Sequence, residues 1–520
     1  MYGGNSEFLP PSLALLLQGR GTLSPMDYLG LNRKFEIAKL KVLFATSEIA
    51  PLIKTGGLAD VSSALPAALR AIGVDVRVLV PGYRQVTAQL VEHKVTATFD
   101  ALAGFPVARL LSGTTANGVP LLVLDCPGLY QREGGPYQDA TGHDWSDNAL
   151  RFGLLSKVAA VLGSSESTLD WHPDLVHCND WQTGLTPAYL RFAHGSVPSI
   201  IAIHNLAFQG IFPPATVSRL HLPPSCFSIN GVEFYGSLSF LKAGLFYADH
   251  ITTVSPNYAK EIRQEALGFG MQGLLAIRNN DLTGILNGID TDEWNPATDK
   301  HLARKYSSTR MAGKAVNKSA LQNLLGLNVE PDVPLLGVVS RFTHQKGLDL
   351  LLEIAPSLTA LPAQLVMLGS GEAQMQKTAQ DMSHRYLGKI AAHIGFSEVL
   401  SHQIEAGADM FIMPSRFEPC GLNQLYSQCY GTPPVVHATG GLADSVVDCT
   451  METLKDGTAS GFTFSGMTAE NLLAAIQRAV DFYHDQRNWK ALRKNCMAKD
   501  FSWGSSAEAY KLVYMKVLGR

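Results

Sequence analysis

The sequence of 520 residues is short of several things, and each shortage removes a class of protein. Its seven cysteines (Cys126, Cys178, Cys226, Cys420, Cys429, Cys449, Cys496) include no CxxC pair and are odd in number. Neither a disulfide framework nor a zinc ribbon is therefore indicated, and a reducing compartment fits best. Neither sign of charge is in excess: 42 Lys and Arg stand against 45 Asp and Glu, a net of −3. That balance gives no electrostatic case for nucleic acid or an anionic membrane as partner. No P-loop, GxSxG, HExxH or EF-hand pattern occurs. Long apolar runs are missing too: Leu13 to Leu17 is far too short to span a bilayer. No basic residue precedes that run, which argues against a secretory signal.

What is present is 46% apolar residues in a chain too long for one ordinary core, which predicts two or three domains. Residues 1–40, with Pro10-Pro11 and scattered glycines, read as a loose extension. Glu7, Asp27 and Glu36 argue against a plastid transit peptide there. The expected location is cytoplasmic, with plastid stroma the alternative if 1–40 acts as such a peptide.

The organising stretch is Lys41 to Ile72. Val42-Leu43-Phe44-Ala45 has the pattern of a buried strand. The chain then breaks at Pro51, passes through Lys54-Thr55-Gly56-Gly57, and enters an apolar series at Val61, Leu65, Leu69 and Ile72 with helical spacing. Pro66 predicts two helical segments rather than one, with Ser63 capping the second. A helix start after a glycine turn favours anions, and glycines let a ligand approach. The hexapeptide Thr55-Gly56-Gly57-Leu58-Ala59-Asp60 recurs letter for letter as Thr439 to Asp444, again after an apolar stretch, Pro434 to His437. The repetition predicts two α/β halves, each aiming a helix start at a shared cleft.

Apolar strands alternate with helical patterns in both halves. The first holds Val76–Val80, Leu121–Leu124, Leu175–His177, Ile200–Ile203 and Ile251–Val254, the last followed by the cap pair Ser255-Pro256. Thr96 to Pro120 is irregular enough to hold a hairpin. The second half holds Leu335–Val339, Leu365–Leu368, Lys389–Ala392, Met410–Met413 and Val435–His437. Such alternation predicts parallel sheets covered by helices, with ligands at the carboxyl ends of strands. The division is 1–40 extension, 41–286 first domain, 287–300 turn-rich linker, 301–500 second domain, and 501–520 a final helix.

Four constellations follow strands. Arg341 and Lys346, in Ser340 to Gly347, suit a diphosphate: Arg grips it bidentately and Lys adds a point charge. Glu418, in Pro414 to Leu422, suits vicinal sugar hydroxyls, although an acid near a helix start also serves the dipole alone. His204-Asn205 and His177-Cys178-Asn179-Asp180-Trp181 place polar loops beside the same cleft. Trp181, Trp145 and Tyr137 have the rings to stack on sugars, though such residues more often pack in cores. Three tempting motifs fail on context. Gly268 to Gly273 spells GxGxxG but follows a helical pattern; Gly369-Ser370-Gly371 lacks the third glycine; Asp290-Thr291-Asp292 has the DxD form but sits in the linker. No metal is required.

Together, KTGGLADV from Lys54, HNLAFQG from His204, NGID from Asn287, SRF with QKG from Ser340, SRFEPCGL from Ser415 and TGGLADSV from Thr439 resemble the bacterial glycogen synthase and plant starch synthase family. The resemblance covers about residues 41–520, with the motifs in the family's order. It implies an α/β protein of two Rossmann-like domains facing across a cleft, the GT-B fold, with the final helix returning to the first domain. It implies a retaining glucosyltransferase that moves glucose from ADP-glucose to an α-1,4-glucan without cofactor or metal. By motif, His204, Arg341, Lys346 and Glu418 are then the catalytic set. Lys54, Gly56, Gly57, Asp60, Asn205, Cys420, Gly421, Leu422, Thr439, Gly440 and Gly441 contact ADP-glucose, and Phe396 stacks near the adenine. Tyr137, Asp180 and Trp181 are expected on the acceptor side. A UDP-glucose user, or a catalytically silent glucan-binding member, remains the rival reading at this point.

Overall fold

Val42 to Ala45, the run read as a buried strand, lies at the middle of a nine-stranded sheet. The computed structural model describes residues 39–90, 93–100 and 102–520. The chain divides into two compact units, 1–40 and 41–520, and the second carries everything below. The loose extension expected at 1–40 falls, through residue 38, outside the described residues.

The N-terminal lobe contributes β1 (Lys41–Ala45), β2 (Asp75–Pro81), β3 (Lys94–Phe99), β4 (Ala108–Thr114), β5 (Pro120–Asp125), β6 (Leu175–Asn179) and β7 (Ser199–Ile203). After a small antiparallel sheet of β8 (Ile211–Phe212), β9 (Glu233–Phe234) and β10 (Ser237–Ser239) come β11 (His250–Thr253) and β12 (Leu282–Gly284). The large sheet runs β12-β11-β7-β6-β1-β2-β5-β4-β3, parallel except for the edge hairpin β3–β4. That hairpin is the one expected between Thr96 and Pro120. The C-terminal lobe has β13 (Leu335–Val339), β14 (Gln364–Gly369), β15 (Ile390–Ile394), β16 (Met410–Met413), β17 (Pro434–His437) and β18 (Phe462–Phe464), all parallel in the order β15-β14-β13-β16-β17-β18.

Setting aside the edge strands of the first sheet, both lobes have the doubly wound order with the first and fourth strands adjacent. In such sheets ligands bind outside the carboxyl ends of those two strands, where the winding reverses. Here they are β1 and β6 in one lobe and β13 and β16 in the other. The alternation of side chains makes each sheet a divider between two cores. Leu335, Val366 and Phe411 pack on one face; Leu336, Leu365, Met410 and Ile412 pack on the other, against Leu351, Ala355 and Leu358 of the Leu348–Leu358 helix. Each fully buried leucine contributes about 1.5–3 kcal/mol, and strands covered on both faces need such unbroken apolar runs.

Two local expectations are corrected. The Gly57–Ala71 helix runs unbroken through Pro66, with no second start at Ser63. Its buried stripe of Leu58, Val61, Leu65 and Leu69 outweighs the one backbone hydrogen bond that a proline removes. The short strands β8 to β10 and β18 were absent from the strands expected, because two or three residues carry no readable period. Ser255 caps the Pro256–Glu261 helix as expected, its hydroxyl accepting from Tyr258 N at 2.9 Å.

The chain passes between lobes twice, and the two passages lie side by side: Ile289 N donates to Phe501 O at 2.8 Å. Beyond the second, the Trp503–Val517 helix packs on the N-terminal lobe. Ser506 Oγ donates to Leu286 O at 2.6 Å, and fully buried Tyr514 meets His177 Nδ1 at 2.8 Å. Burial holds His177 neutral, pushed down to about 3, so this is a bond between uncharged groups. Tyr514→Phe leaves a buried ring nitrogen unpaired and is expected to cost about 1–3 kcal/mol, read as a lowered urea midpoint with an unchanged slope. No helix among the described residues is long and apolar enough to cross a membrane.

Candidate active site

The loops leaving β1, β6 and β7 and those leaving β13, β16 and β17 face one another. Several contacts join the lobes there. Glu261 accepts from Gly440 N (3.0 Å) and from Thr439 Oγ1 (3.1 Å); Asn257 N donates to Asp444 Oδ2 (2.8 Å); Phe269 meets Phe417 edge-on at 5.9 Å. The lobes thus meet where the segment after β11 touches the loops leaving β16 and β17, with a cleft between them.

On the C-terminal wall, Lys346 Nζ donates to Glu418 Oε2 at 2.5 Å, and Ser415 Oγ donates to the same oxygen at 3.0 Å. Lys346 is one-fifth exposed and Glu418 is buried. Arg341 is exposed, and among the described residues its guanidinium makes no hydrogen bond or ion pair within the chain. Arg416, two residues before Glu418, grips Asp349 with two bonds of 2.7 Å and so ties the β16 loop to the β13 loop. Buried Cys420 has its thiol pushed up to about 12, first by burial, which rules it out as a nucleophile at neutral pH.

On the N-terminal wall, Lys54 pairs with Asp60 at 2.6 Å. Burial raises the Asp60 carboxyl, which Lys54 partly offsets, while Glu398 of the other lobe raises it further. Asp180, the first residue after β6, is buried, and the backbone N–H groups of His204 (2.8 Å) and Asn205 donate to its carboxylate. Burial still pushes it up to about 7. His204 Nε2 meets Asn179 Oδ1 at 2.9 Å, while Asn179 Nδ2 donates to Ala45 O. With Oδ1 thus an acceptor, His204 donates through Nε2 and keeps a lone pair on Nδ1. Burial pushes this histidine down to about 4, so it is neutral at pH 7.

The two identical hexapeptides behave differently. A Cβ added at Gly56 or Gly57 would meet nothing within 4 Å, so this turn borders open space. At Gly440 and Gly441 a Cβ would meet Glu418 O at 2.0 Å and Cys420 O at 2.1 Å. The second pair of glycines therefore exists so that the β17 loop can lie against the β16 loop. The expected donation of Thr439–Gly441 backbone nitrogens to a diphosphate is corrected accordingly. Thr439 N bonds His437 O and Gly441 N bonds Glu418 O, leaving only Gly440 N on an exchangeable partner, Glu261.

The acceptor-side expectations divide. Asp180 is buried among the backbone of His204 and Asn205, and Tyr137 donates its hydroxyl to Glu48. Trp181 belongs instead to a packed aromatic group with Phe152 (4.9 Å), Phe212 (5.9 Å) and Phe240 (6.3 Å), and Gly210 lies directly against its ring. The ring is only partly buried and lies 6.3 Å from that of Tyr137, the other aromatic expected on the acceptor side. Phe396, just beyond β15, is 83% exposed, with its ring open to a ligand.

Two carboxylates escaped the sequence reading. Buried Glu48 accepts from Thr55 N (2.5 Å) and Gly56 N (3.2 Å), and Glu261 does the same for the second turn. Each holds the backbone donors of a glycine turn where a ligand's anion is expected. Glu48 had a readable signal, an acid directly after an apolar strand; Glu261 had none, because its partner lies 179 residues away.

Two Rossmann-like lobes whose facing loops bring a free guanidinium and an ammonium–carboxylate pair to one cleft define a GT-B glycosyltransferase. Residues 41–277 match the family described as the starch synthase catalytic domain, and 326–495 match glycosyl transferases group 1. The chain is 58% identical to the glycogen synthase of Nitrosospira multiformis over 487 residues, 92% of this chain and 98% of that protein. It is 56% identical to that of Aromatoleum aromaticum, covering 93% and 98%. The catalytic domain of starch synthase IV from Arabidopsis thaliana, bound to ADP and acarbose, superposes with a TM-score of 0.80 at 30% identity, covering 92% of this chain and 99% of that one. The chain belongs to the glycogen synthase and starch synthase family.

Proposed function

We propose that the chain transfers glucose from ADP-glucose to the non-reducing-end 4-hydroxyl of an α-1,4-glucan, with retention, in the cytoplasm. The observation that carries this reading is the C-terminal wall: Arg341 exposed and, among the described residues, unpaired, and Lys346 beside Glu418, at the strand ends where the winding reverses. Arg341 and Lys346 take the diphosphate. Glu418, Gly421 and Leu422 hold the glucose, with Cys420 a packing neighbour. Lys54, Asp60 and the open Gly56–Gly57 turn close on it from the other lobe, His204 Nδ1 accepts from a sugar hydroxyl, and Phe396 covers the adenine. Asp180 faces the acceptor side.

In the transfer the bond between the anomeric carbon and the β-phosphate oxygen breaks as the acceptor oxygen attacks from the same face. The acceptor proton passes to the leaving phosphate. Charge grows on that phosphate, and fixed cations stabilise it without rearranging. Closing the lobes excludes water that would otherwise hydrolyse the donor. The domain limits 41–286 and 301–500 are part of this reading. The ADP and acarbose bound to starch synthase IV, a nucleotide and a sugar on one related chain, support it.

The test is ADP release from ADP-glucose and, separately, UDP release from UDP-glucose, each with and without oligomaltoside, with the glucan sized afterwards. The expected result is primer-dependent ADP release and chains lengthened by glucose. Faster turnover of UDP-glucose overturns the donor assignment; glucan binding with no nucleotide release overturns the reaction.

A further inference from the structure

Three side chains with metal-binding chemistry, none of them assigned to transfer, meet beside the cleft. Glu293 comes from the linker, Glu398 from the first turn of the Glu398–Gly407 helix, and His402 from one turn further along that helix. Four residues apart, Glu398 and His402 share a helix face. A carboxylate oxygen of each glutamate and a ring nitrogen of His402 all lie within 4.8 Å of one another.

The histidine points to a ligand independently of the acids. His402 is 1% exposed. Its Nδ1 is engaged at 2.8 Å by Asp299 Oδ2, which also accepts from Tyr430 Oη at 2.6 Å. Its Nε2 is buried and, among the described residues, has no hydrogen-bond partner. A carboxylate behind Nδ1 fixes the proton there and leaves a lone pair on Nε2, the arrangement that supports a metal-bound imidazole. The ring cannot turn away: Trp294 stacks on it at 3.9 Å and 9°, and Tyr426 stacks on Trp294 at 3.8 Å. The turn that presents Glu293 is fixed too, since Asp290 Oδ1 accepts from Asp292 N (2.9 Å) and Glu293 N (3.1 Å). The DxD motif therefore shapes the turn, and the acid after it faces the histidine.

We propose that His402 Nε2, Glu293 and Glu398 form a site for a divalent transition-metal ion, Zn²⁺ by preference, which pins the interlobe linker to the C-terminal lobe. One imidazole and two carboxylates are a zinc donor set, with a fourth position left for water. The exposed glutamates can swing onto the ion, whereas the buried histidine is already placed. Opposed glutamates of like charge are also the pair that a cation relieves. This site is structural and borders the donor side of the cleft, since Glu398 raises the Asp60 carboxyl and follows Phe396 by two residues.

Co²⁺ is the probe, added to the chelator-treated full chain while visible absorption is followed, with equilibrium dialysis against Zn²⁺ in parallel. The expected result is one ion per chain, the strong visible band of low-coordinate cobalt, and its stoichiometric loss on adding Zn²⁺. Because Glu293 and Glu398 are exposed, the Glu293→Gln/Glu398→Gln variant is expected to keep its metal-free melting temperature and lose the band. Asp299→Asn, behind the ring, is expected to weaken binding about 10- to 100-fold. A band retained in the double variant, or no saturable binding up to millimolar cobalt, overturns the assignment.

Discussion

Lys346→Ala is expected to lower turnover about 10²- to 10³-fold, the cost of removing one preorganised group from developing charge. The structure adds a second consequence. Lys346 holds Glu418, whose carboxylate is buried, and stripping a buried carboxylate of its partner destabilises by up to about 3–5 kcal/mol. Lys346 is partly exposed, so the lower end of that range applies. The two effects separate in a double variant. Lys346→Ala/Glu418→Gln removes the stranded charge and is expected to recover the urea midpoint without recovering turnover. Initial rates of ADP release at saturating donor, beside urea unfolding, check both. Turnover of the single variant within tenfold of the parent would remove Lys346 from the diphosphate site.

The largest expected effect on stability is at Asp180. Its carboxyl is pushed from 3.8 up to about 7 by burial, with no cation beside it, so the folded chain prefers it protonated. A folded value above the unfolded one means stability that is whole below the unfolded pKa and is lost as pH rises through the folded one. The loss therefore spreads from about pH 4 to pH 7, and at 1.36 kcal/mol per unit it reaches roughly 4 kcal/mol above pH 7. Asp180→Asn keeps an acceptor for the His204 and Asn205 backbone and removes the charge. The variant is expected to be more stable than the parent at pH 8 and to differ little at pH 4. Denaturant midpoints at the two pH values decide it; equal gains at both would locate the effect in something other than ionisation.

Both predictions rest on residues that were readable before any fold was known, and the reason is local. Strands such as Val42–Ala45 and Leu335–Val339 are apolar throughout because both faces are covered, and the chemistry sits immediately after them. Ser255 with Pro256 signals its helix start by side-chain chemistry within four residues. What escaped depends on distance. Nothing near Glu261 tells of Gly440, and nothing in the second TGGLAD tells that its glycines lie on the 418–420 backbone rather than on open space. Identical letters did not mean an identical turn: Gly56 is extended at φ −152°, whereas its counterpart Gly440 is at φ 45°. Trp181 shows the same dependence: how much of an aromatic faces solvent and how much faces Phe152 is a property of elements far apart in the chain.

The paired crossings at Ile289 and Phe501 have a mechanical meaning. Because the polypeptide threads from one half to the other and back along the same edge, the halves are joined like a book at its spine. Any swinging of the halves would turn about that line and would have to break the Glu261–Gly440 and Asn257–Asp444 contacts. A break in the first thread would not let the covers fall apart, since the last helix belongs by sequence to one and by packing to the other.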